Sequence, residues 1–143
     1  MSNYNVTDKN TGDSFSAAEH NALKVAVNTK ADTSDIFPSQ QSQTTGTSYT
    51  ITNNNAPIIS LTVNPSSKLS SDIITLPSSP SNGQTVTIRF GGTITSGTVV
   101  ESLTIQPNAS QGLLQATTPM SAESGEMISY EWKASNSKWY RNN

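Results

Sequence analysis

From Ser48 onward the chain never carries an apolar pattern far before Pro, Gly or Asn interrupts it. Within each short run the apolar positions alternate. The clearest run is residues 84–90, in which Val86, Ile88 and Phe90 fall on one side and Thr85, Thr87 and Arg89 on the other. A period of two is that of a half-buried strand and excludes an amphipathic helix there. Similar runs occupy 49–52, 57–63, 72–76, 93–95, 98–105, 113–114 and 127–132. A last hairpin turns at Asn136-Ser137 and returns through Trp139-Tyr140. Turn residues sit between them: Asn53-Asn54-Asn55, Asn64-Pro65, the SSPSNG stretch at 78–83 and Gly91-Gly92. Short strands at this spacing predict a mainly β chain, an antiparallel β-sandwich of jelly-roll type over residues 48–143. Its expected core is Ile58, Leu61, Ile74, Val86, Ile88, Phe90, Leu103, Ile105, Ile128, Tyr130 and Trp139.

Composition narrows the function. Charged residues are 13% of the chain, against about 25% in soluble domains generally, while Ser and Thr number 42 of 143. Hydroxyls and amides, not charge, keep such a surface wet, which argues against a typical cytosolic enzyme. Thr-rich strand faces fit extended β-structure. A net charge of −2 lacks the strong self-repulsion of most disordered chains. The eight basic residues are scattered, so no electrostatic footprint for nucleic acid is expected. Without cysteine, disulfides and thiolate metal sites are excluded. No run is apolar enough to span a bilayer, and the polar MSNYNVTDKN start does not read as a signal peptide. The expectation is a protein made in a cytoplasm and not exported by the usual signal.

Ahead of the β-region one stretch, residues 12–35, reads as carrying a helix that stops near Thr29 to Asp32. Ser16 and Glu19 have capping-box spacing, with Phe15 placed as a hydrophobic staple. Leu23, Ala26, Val27 and Lys30 then follow at helical intervals, widened by Ala22 and Val25. The stripe is made of small residues and buries little alone, so it needs another surface: copies of itself, a larger assembly or its own β-domain. Residues 1–35 therefore read as an attachment and oligomerisation segment. Residues 36–47, with the SQQSQTTGT tract at 39–47, read as a polar linker.

Candidate chemistry is sparse. His20 is the only histidine and reads as an exposed helix residue, and no HExxH, GxSxG, GxGxxG or P-loop pattern occurs. Glu123 and Glu126 read as solvated loop carboxylates. The acidic residues lack calcium-loop spacing. No catalytic residue, cofactor or metal is expected. Tyr130, Trp132, Trp139 and Tyr140 form one aromatic cluster. Exposed, Trp132 or Tyr140 would stack on sugar rings; packed, Tyr130 and Trp139 fill the core while Trp132 covers a subunit seam or sheet edge. The packed reading is the simpler one.

Three motifs carry a resemblance: GDSFSAAEHNAL at 12–23, GQTVTIRF at 83–90, and GEMISY at 125–130 followed by KWY at 138–140. Together they resemble bacteriophage fibre and virion-appendage proteins. The short chain, without shaft repeats, is most similar to head fibres or capsid decorations such as those of crAss-like phages. The resemblance implies a non-enzymatic virion protein, a homotrimer (dimeric head fibres also exist) attached to capsid or other virion proteins by its N-terminus. It would project a distal β-domain with weak adhesion to bacterial surface glycan. A receptor-binding tail-fibre tip or carbohydrate-binding module is the alternative.

Overall fold

The computed structural model describes residues 16, 18–22, 38–114 and 119–142. The chain divides into two compact units, Met1–Ile36 and Phe37–Asn143. In the first, residues 18–22 are helical, and the capping box forms as its spacing predicts. The Ser16 N–H donates to Glu19 Oε2 at 2.8 Å, and the Glu19 N–H donates to Ser16 Oγ at 3.2 Å. Two helix-start donors are thereby satisfied reciprocally. Leu23, Ala26 and Val27 lie outside the described residues.

The second unit is β throughout. Its strands are β1 (Ser39–Gln43), β2 (Ser48–Thr50), β3 (Ile58–Val63), β4 (Asp72–Thr75), β5 (Thr85–Phe90), β6 (Thr98–Gln106), β7 (Gly112–Leu114), β8 (Met120–Glu123), β9 (Met127–Lys133) and β10 (Lys138–Arg141). They make a six-stranded sheet, β1-β3-β5-β9-β10-β7, and a four-stranded sheet, β2-β4-β6-β8. From β1 to β6 consecutive strands alternate between the sheets. The chain thus winds in three rungs, β1/β2, β3/β4 and β5/β6, and each rung lies parallel to the next. The last four strands reverse this. β8 pairs antiparallel with β6, β9 with β5 and β10 with β9, while β7 lies parallel to β10 at the far edge.

This corrects the antiparallel jelly-roll expectation: the two-sheet, mainly β arrangement stands, and the pairing is mixed and largely parallel. Alternation within a strand reports which face is buried and is silent about the direction of its neighbour. The turns at 53–55, 64–65 and 78–83 are corners between sheets, not hairpins within one. Parallel neighbours need a long crossover, and here the crossover contains a strand of the opposite sheet.

The core lies between the sheets and draws on both. Parallel register stacks Ile59 on Val86, Leu61 on Ile88 and Val63 on Phe90, and β9 continues two of these rows through Tyr130 and Ile128. Across from them stand Ile74, Leu103, Ile105 and Val99, all buried. Ile58 is the one misplaced member of the expected core. It is 44% exposed while Ile59 is fully buried, because Ile59, Leu61 and Val63 share the inward face of β3 and Ile58, one residue earlier, falls on the other. Residues 93–95 form no strand, and β8, built from Met-Ser-Ala-Glu, alternates over only two apolar positions, Met120 and Ala122, too short a pattern to announce it.

Part of the expected linker is a strand. β1 sets Ser39, Gln41 and Gln43 in register with Ile59, Leu61 and Val63, so polar side chains stand where the neighbouring strand is apolar. Their amides bond across the gap between the sheets. Gln41 Nε2 donates to the Thr52 carbonyl at 2.7 Å, and its Oε1 accepts from the Thr52 N–H at 3.0 Å and from the Tyr49 hydroxyl at 3.3 Å. Gln41 thereby imitates a strand partner for Thr52 and closes the first rung.

Gly91 marks the tightest corner. Its φ is +105°, and a Cβ there would stand 2.6 Å from Ser124 Oγ and 3.1 Å from the Ile94 carbonyl oxygen. That hydroxyl already donates to the Ile94 carbonyl at 2.7 Å. Gly91→Ala should therefore lower unfolding free energy by about 1–3 kcal/mol, read from urea unfolding. Gly97→Ala is the comparison, since its φ is also positive, at +79°, but nothing lies near its missing Cβ. A smaller loss at Gly91 than at Gly97 would refute the clash.

Candidate functional site

Three corners meet over the end of β9 and leave a shallow cleft of about 360 Å³, near the lower bound of ligand sites, which run from about 300 to 1,000 Å³. Ser78, Ser79 and Pro80 follow β4, Asn108–Gln111 follow β6, Ser137 closes the β9–β10 turn, and Trp132 is the aromatic wall. The lining holds four serines, two amides and no charged group.

Its backbone is unusual. Ser79, Ser110 and Ser137 have φ of 49°, 66° and 54°, and among described non-glycine residues only Asn55 shares this left-handed region. Each such serine costs about 1–2 kcal/mol relative to a right-handed conformation, so three around one cleft are held there by their surroundings. Around Ser79 and Ser110 the holding groups are side-chain amides, whereas the Ser137 carbonyl accepts from the Gly112 N–H. Asn53 Nδ2 donates to the Ser78 carbonyl at 2.9 Å and the Ser79 carbonyl at 2.7 Å, while its Oδ1 accepts from Gln84 Nε2 at 3.1 Å. Gln84 is itself buried and donates to the Ala56 carbonyl at 2.7 Å. On the other wall, Gln111 Oε1 accepts from Trp139 Nε1 at 2.8 Å and from the Asn108 N–H at 3.3 Å. Gln111 Nε2 donates to the Pro77 carbonyl at 3.0 Å.

The two candidate aromatics are separated. Trp132 is 6% exposed and packs at 5.4 Å, tilted by 55°, on the fully buried Trp139. It offers the cleft an edge, not a full stacking face. Tyr140 alternates with Trp139 along β10 and therefore lies on the outer face of the six-stranded sheet, in register with Glu131 and Leu114. There it is half-buried and its hydroxyl accepts from Asn136. Ser16 and Glu19 belong to the other unit and bond each other.

The remaining candidates are occupied structurally. Glu126 Oε2 accepts from the Glu123 N–H at 2.8 Å, and Glu123 Oε1 accepts from Thr98 Oγ1 at 2.8 Å, so this pair closes the β8–β9 turn. His20 is exposed. Among the described residues, no three His, Asp or Glu side chains gather as a metal cage would require. The cleft is suited to hold a neutral, hydrogen-bonding ligand and carries no acid–base pair to transform one. Sequence reasoning missed Ser79, Ser110 and Gln111, because left-handed serines and a loop amide have no local pattern.

Gln111 ties three segments, so Gln111→Ala would leave the buried Trp139 indole N–H without a partner. A loss of about 1–3 kcal/mol is expected, accompanied by a shift in tryptophan fluorescence. Unchanged stability with unchanged emission would show that the cleft wall stands without it. Compared with protein-family models and with curated proteins, the chain matches none.

Proposed function

We propose that this chain is a non-enzymatic structural protein of a bacteriophage virion, a short homotrimeric head fibre or capsid decoration. Residues 1–35 anchor it to capsid or other virion proteins and oligomerise through the stripe of Leu23, Ala26 and Val27. The β-unit projects outward, and its hydroxyl-rich surface adheres weakly to host glycan. The observation that carries this reading is the division of the chain into a helix-bearing N-terminal unit and a β-unit with its own complete core. An appendage that is attached at one end and presented at the other requires that division. The three sequence motifs add the resemblance to phage fibres, and the low charge content suits a particle component.

Light scattering on the intact chain and on a form lacking residues 1–35 tests the proposal. A trimer of three 15.2 kDa chains, about 46 kDa, is expected for a closed cyclic assembly, with collapse to monomer on truncation. A monomer in both forms would overturn the homotrimer.

The cleft supports a second reading, a carbohydrate-binding module or receptor-binding tip. Its neutral hydroxyl and amide lining and its rigidly held corners suit a saccharide better than an ion. Ala109 is exposed on the cleft wall, so Ala109→Trp should fill the cleft without touching the core. Glycan-array binding that falls more than about tenfold, roughly 1.4 kcal/mol, with mass unchanged would support this reading. Binding that is indifferent to Ala109→Trp would remove the cleft from it.

A further inference from the structure

The second inward-facing amide of β1, Gln43, is paired in an unfinished way. Gln43 and Asp72 are both buried, with 3% and 0% of their surfaces exposed. Gln43 Nε2 donates to Asp72 Oδ1 at 3.0 Å. The remaining oxygen of each, Gln43 Oε1 and Asp72 Oδ2, has no partner. Two orphan acceptors on the two members of one pair lack a single hydrogen. An ionised carboxylate has none to give, whereas a carboxylic acid has one O–H donor. Leaving both oxygens unpaired away from water is costly for each.

We propose that Gln43 and Asp72 form a proton-operated clasp on the first rung. With the carboxyl protonated, Asp72 Oδ2–H donates to Gln43 Oε1 and two bonds join β1 to β4. With it ionised, one bond remains beside a buried charge and β1 loosens. The surroundings favour the protonated form. Burial pushes the Asp72 carboxyl up from its ordinary value of 3.8, against smaller opposing effects of the Gln43 amide and the Ile73 backbone N–H. Among the described residues no ion pair joins it to a cation. β1, β2 and β3 carry no charged residue, and Asp72 is the only one on β4. On β6, Glu101 is ion-paired with Lys68, both side chains about half exposed. On β8, Glu123 is held by Thr98. On β5, Arg89 is exposed and alternates with the buried Ile88 and Phe90, reaching Ser60 at 3.4 Å.

The sign follows from linkage. A carboxyl whose folded value lies above its unfolded value binds more proton when folded. Its contribution is therefore complete below 3.8 and is withdrawn as pH rises through the raised value. Since β1 is the first strand of the six-stranded sheet, that loss falls on the first rung of the β-unit.

The test is carbon-detected titration of the Asp72 carboxyl in the full chain, together with amide hydrogen exchange of Ser39–Gln43 and Thr85–Phe90. Asp72 should titrate above 3.8. Over the same pH range β1 exchange, corrected for intrinsic chemistry, should rise about tenfold for each unit by which the value is raised, while β5 stays protected. Asp72→Asn supplies an N–H donor in place of the acid O–H, and it should keep β1 protected at all pH values. A carboxyl titrating at or below 3.8, or β1 exchange that ignores its titration, would overturn the clasp. The same pH response in Asp72→Asn would also overturn it. If that variant does not fold, the two wild-type curves decide alone.

Discussion

The side-chain carboxamide is the interaction on which this fold depends. A chain wound between two sheets must turn a corner after every strand, and each corner strips backbone groups of their ladder partners. Buried without replacements, those groups would cost more than the small apolar core returns. Gln41 substitutes for a strand against Thr52, Asn53 collects the carbonyls of Ser78 and Ser79, and Gln84 reaches Ala56. Gln111 joins Pro77 to Trp139, and Asn64 accepts from the Thr93 N–H at 2.6 Å. An amide carries both a donor and an acceptor and stays neutral when buried. It therefore mimics the peptide group without the desolvation penalty of a charge. The low charge content and the wealth of Asn and Gln are two sides of this one solution.

The same amides make the cleft. Its walls consist of corners, and corners in this fold are fixed by side chains instead of by ladders. Ser79 and Ser110 persist because Asn53 and Gln111 hold the segments around them, and Ser137 because its carbonyl accepts from the Gly112 N–H. The site and the scaffold are thus not separable: the groups that shape the cleft also close the rungs.

The sequence disclosed faces and ends more readily than neighbours. Val86, Ile88 and Phe90 announced a buried face because burial writes a period of two into the chain, and Ser16 with Glu19 announced a helix start because both partners lie within one turn. Strand direction was hidden, since Leu61 beside Ile88 reads the same whether the strands run together or opposed. β1 was hidden for a different reason. Its Ser39, Gln41 and Gln43 face inward against amides and carboxyl, so a strand with buried contacts has the composition of a linker. The cleft was least legible of all, because Ser79, Gln111 and Ser137 come together only through the winding.

The winding has a kinetic consequence. Ser39 lies beside Ile59, and Ile59 beside Val86, so each rung finds its partner only after the chain has passed through the opposite sheet. The β9–β10 hairpin, joined by a short turn, is the most local pairing, yet it follows the other described strands in the chain. Folds dominated by distant pairings reach their native state in milliseconds to seconds, against microseconds for helical bundles. A nascent chain of this kind must hold each strand unpaired until the next rung has come round through the opposite sheet. A surface of hydroxyls and amides, with little to stick to a neighbour, makes that wait survivable.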